Sequence, residues 1–260
     1  MNILDEIIDY KRGEVAKRKL TVSISDLEKR DQFSRPVLSL TQSLLDHTKT
    51  GIIAEFKRKS PSKGLINGSA DVQQVTGAYT ASGASALSVL TDEHFFGGSD
   101  GDLLKARVNN IPLLRKEFII DEYQIVEAKS LGADVILLIA ACLTPAEVKT
   151  LAGVARKLGL EVLLELHAEE ELAHICDETE VVGINNRNLK TFEVDIDRSL
   201  RMAERIPSSK IKVAESGISS VENIRLFRDH GFHGFLIGET FMKEADPGNA
   251  FKRFVERIKG

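Results

Sequence analysis

The sequence lacks several features that mark common classes of protein. It has only two cysteines, Cys142 and Cys176, which are too few for a disulfide framework, show no CxxC spacing and fit a reducing compartment. Its longest apolar run, residues 135–143, is far shorter than the ~20 residues that a membrane-spanning helix needs. The first residues alternate charged and apolar side chains, unlike the apolar core of a signal peptide. We therefore expect a cytoplasmic protein with no membrane partner.

An excess of positive charge is missing as well. The chain carries 35 lysines and arginines against 39 aspartates and glutamates, a net charge of −4. Nucleic-acid-binding proteins normally carry excess positive charge, so nucleic acid is not an expected partner. What is present, 42% hydrophobic and 28% charged residues, is typical of a globular protein. No linker rich in Pro, Gly or Ser divides the chain, which favours one domain over residues 1–260.

One pattern recurs along the chain: an amphipathic stretch, a glycine, then a short run of Val, Ile, Leu and Ala. It surrounds Gly83, Gly132, Gly159 and Gly231. A glycine in the left-handed conformation ends many helices, and the apolar run that follows suits a strand buried on both faces. Pairs with capping-box spacing indicate helix starts, and Pro145 stands in the first turn of one of them. These pairs are Asp71 with Gln74, Asp121 with Gln124, Thr144 with Glu147, and Ser219 with Glu222.

The apolar runs predict eight strands. They cover residues 51–57, 84–90, 112–117, 133–139, 160–166, 181–185, 211–215 and 234–238. Eight strand–helix units favour an α/β fold of the (β/α)8 TIM-barrel class, and no GxGxxG follows the first strand as an open dinucleotide-binding sheet would require. Residues 1–48 precede the first strand. Because Leu4, Ile7, Ile8 and Val15 fall near one helical face, we expect a helical extension that packs on the barrel.

Charged and polar residues end several of these otherwise apolar strands. In a TIM barrel the ligand site lies at the carboxyl ends of the strands, so these residues should meet at one rim. Each alone is more often a buried ion pair or a solvated loop charge, but together they favour an active site. They are Glu55, Lys57, Lys116, Glu165, Asn185, Arg187 and Glu215.

Two glycine-containing turns follow the last two predicted strands. They contain Ser216 and Gly217 in one and Gly238 and Glu239 in the other. Small residues let backbone N–H groups approach an anion, and the loops after strands seven and eight often bind phosphate in barrel enzymes. We favour phosphate binding over the alternative of two tight turns that merely need glycine.

Other polar features are less specific. The segment 60–64, which begins at Ser60, is compatible with a mobile lid and with a solvated loop. His167 follows Glu165 by two residues and so shares its strand face, although a hydrogen-bonded packing histidine is the favoured interpretation. Cys142 is expected to be a small buried residue, because no His–Asp pair accompanies it. The six histidines form no cluster with metal-ligand spacing, so no metal site is predicted.

Longer motifs resemble one enzyme family. They are IIAEFKRKSPSKG, LSVLTDEHFFGGS, LLRKEFIID, GINNRNLKTFEVD, VAESGI and FLIGETFM, in this order along essentially the whole chain. Together they are similar to indole-3-glycerol phosphate synthase of tryptophan biosynthesis. The resemblance implies a lyase that converts 1-(2-carboxyphenylamino)-1-deoxyribulose 5-phosphate to indole-3-glycerol phosphate, with loss of carbon dioxide and water. It also implies no metal or organic cofactor and a small phosphorylated substrate as partner; a monomer is compatible with the sequence.

The resemblance also implies roles for individual residues. Lys116 matches the general acid that protonates the ribulose carbonyl oxygen, Glu165 helps to remove a proton during dehydration, and Lys57 matches the second active-site lysine. Glu55, Asn185 and Glu215 match residues that position the substrate and hold the lysines. Substrate contacts are assigned to Ser60, to Arg187 near the departing carboxylate, and to Phe95, Phe118 and Leu138 around the anthranilate ring. The phosphate contacts are assigned to Ser216, Gly217, Gly238 and the backbone of Glu239.

One departure and three rival functions remain. The chain has no tryptophan, so Tyr10 is the nearest candidate for the aromatic contact that some relatives take from the N-terminal segment. A Schiff-base aldolase would favour a lysine on the sixth strand, where Asn185 and Arg187 stand instead. A pathway isomerase would place its acid–base pair differently. A catalytically silent scaffold would have no need of Lys57, Lys116 and Glu165.

Overall fold

The computed structural model describes residues 3–188 and 193–259, and within them eight parallel strands close into a barrel. Each barrel strand pairs with the next along the chain, and the last pairs with the first. The predicted (β/α)8 TIM barrel is therefore confirmed. Its strands are β1 (Ile52–Phe56), β4 (Ala86–Leu90), β5 (Leu113–Lys116), β6 (Val135–Ile139), β7 (Glu161–Leu166), β8 (Val181–Asn185), β9 (Ile211–Glu215) and β10 (Phe232–Ile237); β2 (Lys59–Ser60) and β3 (Gly64–Leu65) form a separate antiparallel hairpin. Residues 189–192 of the GINNRNLKTFEVD motif lie outside the described residues.

Helices alternate with the barrel strands and precede the first one. They are α1 (Ile3–Thr21), α2 (Ile24–Glu28), α3 (Leu40–Leu45), α4 (Val72–Ala81), α5 (Asp100–Ala106), α6 (Glu122–Ser130), α7 (Pro145–Lys157), α8 (Ile196–Glu204), α9 (Val221–Asp229), α10 (Glu239–Met242) and α11 (Pro247–Lys259). Two 3₁₀ turns, Ala140–Cys142 and Glu169–His174, follow β6 and β7. The glycines of the recurring unit have the expected left-handed φ values of +96°, +86°, +75° and +75°.

The predicted helix starts are confirmed at three positions and wrong by one residue at the fourth. Asp71, Asp121 and Thr144 cap their helices with their side chains. At α9 the cap is Ser220 rather than Ser219, and its capping-box partner is Asn223 rather than Glu222. An amide oxygen can accept from the cap backbone as a carboxylate does, which is why either spacing satisfied the pattern.

Successive residues of each barrel strand point alternately into the barrel and towards the helices. In β6, Val135, Leu137 and Ile139 belong to the interior cluster, whereas Ile136 and Leu138 belong to the cluster between strands and helices. This alternation decides which side chains can reach a ligand at the barrel mouth.

The helices before β1 pack against the barrel at several places. Leu40 and Leu44 of α3 join the interior cluster together with Val135 and Val181, the first residues of their strands. They therefore close the amino end of the barrel and leave only the carboxyl end for a site. Ile7 and Val15 bury one face of α1. Within the described residues, no helix is both long and apolar enough to cross a membrane.

Candidate active site

A cavity of about 210 Å³ opens at the carboxyl end of the barrel strands. It is lined by every residue that the sequence proposed for the site except Tyr10, Phe95 and Leu138. Its lining includes Glu55, Lys57, Ser60, Lys116, Phe118, Glu165, Asn185, Arg187, Glu215, Ser216, Gly217, Gly238 and Glu239. Side chains from six barrel strands or the turns after them thus share one space, although residues 55 and 239 are distant in sequence.

Lys116, the last residue of β5, lies between two carboxylates. Its Nζ is 2.6 Å from Glu165 Oε2 on β7 and 2.9 Å from Glu215 Oε2 on β9. Asn185, the last residue of β8, donates to Glu165 Oε1 at 2.9 Å. The four inward-facing residues therefore form one hydrogen-bonded array across the cavity floor, in which the ammonium group is held by two anions.

Glu55 and Lys57 form a second pair on the inward face at the end of β1. Lys57 Nζ lies 2.6 Å from Glu55 Oε1. Gly238 borders this pair, because a Cβ there would lie only 2.6 Å from Glu55 Oε1. Glycine at 238 is therefore required by the close approach of the carboxylate.

The turn after β9 has an unusual backbone. Ser216 has φ +67° and is the only non-glycine with positive φ among the described residues; Gly217 follows with φ +70°. Left-handed backbone is uncommon for a residue with a Cβ and is held here by its surroundings. The buried Asn186 donates from Nδ2 to Ser216 O at 2.7 Å, and Thr240 Oγ1 donates to Ile218 O at 2.8 Å. The second bond joins the two turns that the sequence assigned to phosphate.

Cations flank Glu239 at the mouth of the cavity. Arg187 Nη2 and Lys63 Nζ each lie 3.5 Å from a different oxygen of its carboxylate. Lys63 belongs to the β2–β3 hairpin, in which Ser60 is buried against the cavity. The 60–64 segment is thus part of a defined hairpin over the site.

An apolar wall faces the charged groups, and here two predicted contacts are wrong. Phe96 lines the cavity with Phe118, at 5.8 Å between ring centroids, whereas Phe95 packs edge-on to Tyr10 at 5.7 Å. Phe95 and Phe96 are adjacent in a loop held by Asp92, and their rings point in opposite directions. The prediction was therefore off by one residue, and Phe96 takes the place assigned to Phe95. Leu138 faces the helices, and its neighbours Leu137 and Ile139 line the cavity instead.

The N-terminal helix contributes to the same wall. Ile3, Leu4 and Ile7 of α1 line the cavity, whereas Tyr10 stacks on His94 at 4.4 Å and does not reach it. The contact from the N-terminal segment is therefore aliphatic rather than aromatic.

Comparison with known proteins shows the family of this chain. The family model for indole-3-glycerol phosphate synthase matches residues 4–254. Proteins of that name are 48% identical in Bacteroides thetaiotaomicron, over 99% of both chains, and 42% identical in Bordetella pertussis, over 98% of this chain and 99% of that one. The chain belongs to the indole-3-glycerol phosphate synthase family.

More distant solved structures share the fold of this synthase family. The tryptophan synthase complex from Pyrococcus furiosus contains a chain that is 18% identical with TM-score 0.59, covering 82% of this chain and 99% of that one. The tryptophan synthase α subunit from Legionella pneumophila is 14% identical with TM-score 0.60, covering 85% and 96%. At these identities the likeness supports the TIM-barrel fold alone.

The electrostatics of this synthase-family cavity are set by burial and by mutual contact. Burial alone would lower the pKa of Lys116, but Glu165, Glu215 and Glu55 raise it above the ordinary lysine value. Burial would raise the pKa of Glu165, but Lys116 and then His167 hold it well below the usual range. For Glu215 burial prevails over Lys116, and its pKa is raised to about 7. Near neutral pH one carboxylate beside Lys116 is thus ionised and the other is close to its titration midpoint.

Sequence reasoning undervalued two residues of the site. His167 directly follows β7 and lines the cavity, and its Nε2 is 2.9 Å from Glu165 Oε1. The sequence did indicate that His167 could share the face of Glu165, because the two residues are two positions apart. Asn186, which holds the Ser216 turn, had no such signal because its partner is a backbone carbonyl thirty residues away. Among residues 3–188 and 193–259, no three His, Cys, Asp or Glu side chains are arranged to hold a metal ion.

Proposed function

We propose that this chain catalyses the ring closure of 1-(2-carboxyphenylamino)-1-deoxyribulose 5-phosphate to indole-3-glycerol phosphate. The observation that carries the proposal is the position of Lys116, a charged donor between two carboxylates, in a cavity with an apolar wall and two glycine turns. The substrate has matching parts: an aromatic ring, a carboxylate, a carbonyl and a phosphate. Membership of the synthase family supports the same reaction.

Binding divides the substrate among these surfaces. The phosphate is held by backbone N–H groups of the Ser216–Gly217 turn, in which both residues are left-handed, and of the Gly238–Glu239 turn, where α10 begins. The anthranilate ring packs against Phe96 and Phe118, and Arg187 meets its carboxylate. Anchoring both ends keeps the ring carbon near the carbonyl carbon, so that bond formation is effectively intramolecular.

The first chemical step forms a carbon–carbon bond. The ring carbon that bears the carboxylate attacks the ribulose carbonyl carbon, and the carbonyl oxygen takes a proton from Lys116 Nζ. Carbon dioxide then leaves with the C–C bonding pair returning to the ring, which restores aromaticity. Lys57, paired with Glu55 at the same mouth, adds positive charge that attracts the two anionic groups of the substrate.

The second step removes water. The hydroxyl formed at the former carbonyl leaves with a proton supplied by a lysine, and Glu165 accepts the proton lost in forming the double bond. Glu165 suits a base because its low pKa keeps it ionised, while Asn185 fixes its orientation through Oε1. Glu215, with a pKa of about 7, carries a proton part of the time and then binds Lys116 less strongly. Lys116 can then turn to the substrate oxygen.

The same electrostatics disfavour a Schiff-base aldolase. A lysine that attacks a carbonyl must be uncharged, and the pKa of Lys116 is raised by its carboxylate neighbours. A silent scaffold is disfavoured because burying three carboxylates and two ammonium groups is costly for a protein with no use for them. The expected substrate is a small phosphorylated molecule, and the monomeric state stays a prediction.

A fluorescence time course tests the proposed reaction. Purified protein is mixed with the carboxyphenylamino-deoxyribulose phosphate in a buffer with chelator, and indole emission and released carbon dioxide are followed together. We expect both to rise in equal amounts. Folded protein that yields neither product would overturn the proposed function. Borohydride trapping of Lys116 with a keto-sugar phosphate would instead support the aldolase.

A further inference from the structure

His167 is a buried titratable group of the cavity to which the proposed reaction assigns no step. It is 8% exposed, follows Glu165 by two residues and lines the same cavity. Its Nε2 lies 2.9 Å from Glu165 Oε1. A histidine at this distance from a carboxylate can change both the orientation and the proton affinity of that carboxylate.

Glu171 holds the backbone at His167. His167 N donates to Glu171 Oε2 at 2.5 Å, and Ala168 N donates to the same oxygen at 3.3 Å. Both ring nitrogens are buried, yet within the described part of the chain neither makes a well-aligned hydrogen bond. Buried polar atoms are nearly always paired, so an exception inside a cavity calls for an explanation. Catalytic contacts are often poorly aligned in the empty site and tighten when substrate is bound.

The partners of Glu165 show what the imidazole adds. Lys116 occupies Oε2, while Asn185 and His167 share Oε1. In the proposed reaction Lys116 turns its proton towards the substrate oxygen, which withdraws the ammonium group from Glu165. Asn185 is neutral, so the charge on His167 then decides how strongly the carboxylate holds a proton.

We propose that His167 is a positioning residue that acts through Glu165: the imidazolium holds Oε1 and weakens the carboxylate as a base, and the neutral imidazole restores it. The effect on the reaction rests on the proposed function, whereas the contact between His167 and Glu165 is independent of it. No covalent step is involved, and one proton moves between solvent and the imidazole.

The charged groups around the ring favour its protonated form. Burial alone would lower the pKa of His167, but Glu165, and then Glu171 and Glu215, raise it above the ordinary value. These carboxylates face the ring from β7, from the Glu169–His174 turn and from β9. Lys116 on β5 pairs with the other oxygen of Glu165. The thiol of Cys142 has its pKa raised by burial and then by Glu165 and Glu171. Arg187 lines the same cavity beyond β8.

The pH dependence of kcat in two variants tests the proposal. The wild-type kcat should fall as pH is lowered through the pKa of His167, by up to about tenfold per pH unit, and then level off at the lower rate of the imidazolium form. His167→Gln keeps an amide donor near the Nε2 position and cannot titrate, so this inflection should vanish. His47→Gln, an exposed control, should retain it. The same inflection in His167→Gln as in wild type would overturn the proposal.

A second readout needs no turnover. Proton NMR of the ligand-free protein should give His167 a pKa above the ordinary value of about 6.5, and Glu165→Gln should lower it. An unchanged His167 titration in Glu165→Gln would contradict the proposed coupling. If the wild type made no indole but this shift were present, the proposed reaction would fail and the ion pair would stand.

Discussion

Lys11 of α1 and Glu117 at the end of β5 form a buried ion pair, with 3.0 Å between Nζ and Oε1. Lys11 Nζ also lies 2.9 Å from Asp92 Oδ2. The two carboxylates hold the loops of the apolar wall, since Glu117 accepts from Phe118 N at 2.8 Å and Asp92 from Phe96 N at 3.2 Å. One ammonium group from the N-terminal helix thus compensates both anions that position the aromatic rings of the cavity.

We expect Lys11→Met to lower the free energy of unfolding by about 3 kcal/mol, because it leaves two buried carboxylates without their cation. The KM should also rise, because the loops that carry Phe96 and Phe118 lose their anchor. Arg12→Met is the matched control. Arg12 pairs with Asp9 on the exposed side of the same helix, and its loss should cost less than about 1 kcal/mol. Urea unfolding of both variants measures the difference, and equal losses would refute the role of the buried pair.

Gly217→Ala tests phosphate binding by the turn after β9. The substitution places a Cβ on a residue with φ +70°, about 2.5 Å from Val194 Cγ1, so the turn must move. We expect KM to rise about tenfold with kcat nearly unchanged, the pattern of lost binding that is uniform along the reaction. Gly159→Ala is the control, because Gly159 has φ +75°, nothing within 4 Å of a Cβ and a place far from the cavity. A collapsed kcat with an unchanged KM would count against the phosphate assignment.

Glu215→Gln tests the raised pKa of that carboxyl. In the folded protein Glu215 holds its proton up to a pKa of about 7, against an ordinary value of 4.5. The folded state therefore binds more protons than the unfolded state between these values, and this contribution to stability is present at low pH and lost as pH rises towards 7. Glutamine cannot titrate, so the variant should gain on wild type by up to about 3 kcal/mol between pH 4.5 and 8. Urea unfolding at both pH values measures this gain, and a constant difference would contradict the assignment.

The barrel and its charged rim could be predicted because the strands and the alternation of their side chains can be recognised in the sequence. Alternation by two along buried strands assigned Glu55 and Lys57 to one face, and Glu165 and His167 to another, without knowledge of any contact. These residues were then assigned to one rim because the parallel strands all end at the same edge of the barrel. The same rule fails outside a strand: Phe95 and Phe96 lie in a loop, where the backbone no longer alternates regularly.

Leu138 shows a different failure. It lies within β6, where every residue is apolar, so the sequence does not show which side chains point into the barrel. Once Leu137 or Ile139 is known to point inwards, alternation places Leu138 on the side of the helices. The roles of Lys11 and Asn186 were missed because their partners are distant in sequence. Lys11 contacts Asp92 and Glu117, and Asn186 contacts the carbonyl oxygen of Ser216, and no local sequence pattern links these residues. A buried lysine on an apolar helix face resembles a solvated one until the opposing carboxylates are placed.

The most direct test of the account is the turnover of Lys116→Met, measured by indole emission beside Lys149→Met, an exposed lysine on α7. Methionine keeps the length of the side chain and removes the proton donor. We predict that kcat falls at least 100-fold, the usual contribution of a positioned acid, while circular dichroism shows an intact barrel and Lys149→Met matches wild type. Wild-type turnover in folded Lys116→Met would contradict the assignment of Lys116 as the acid.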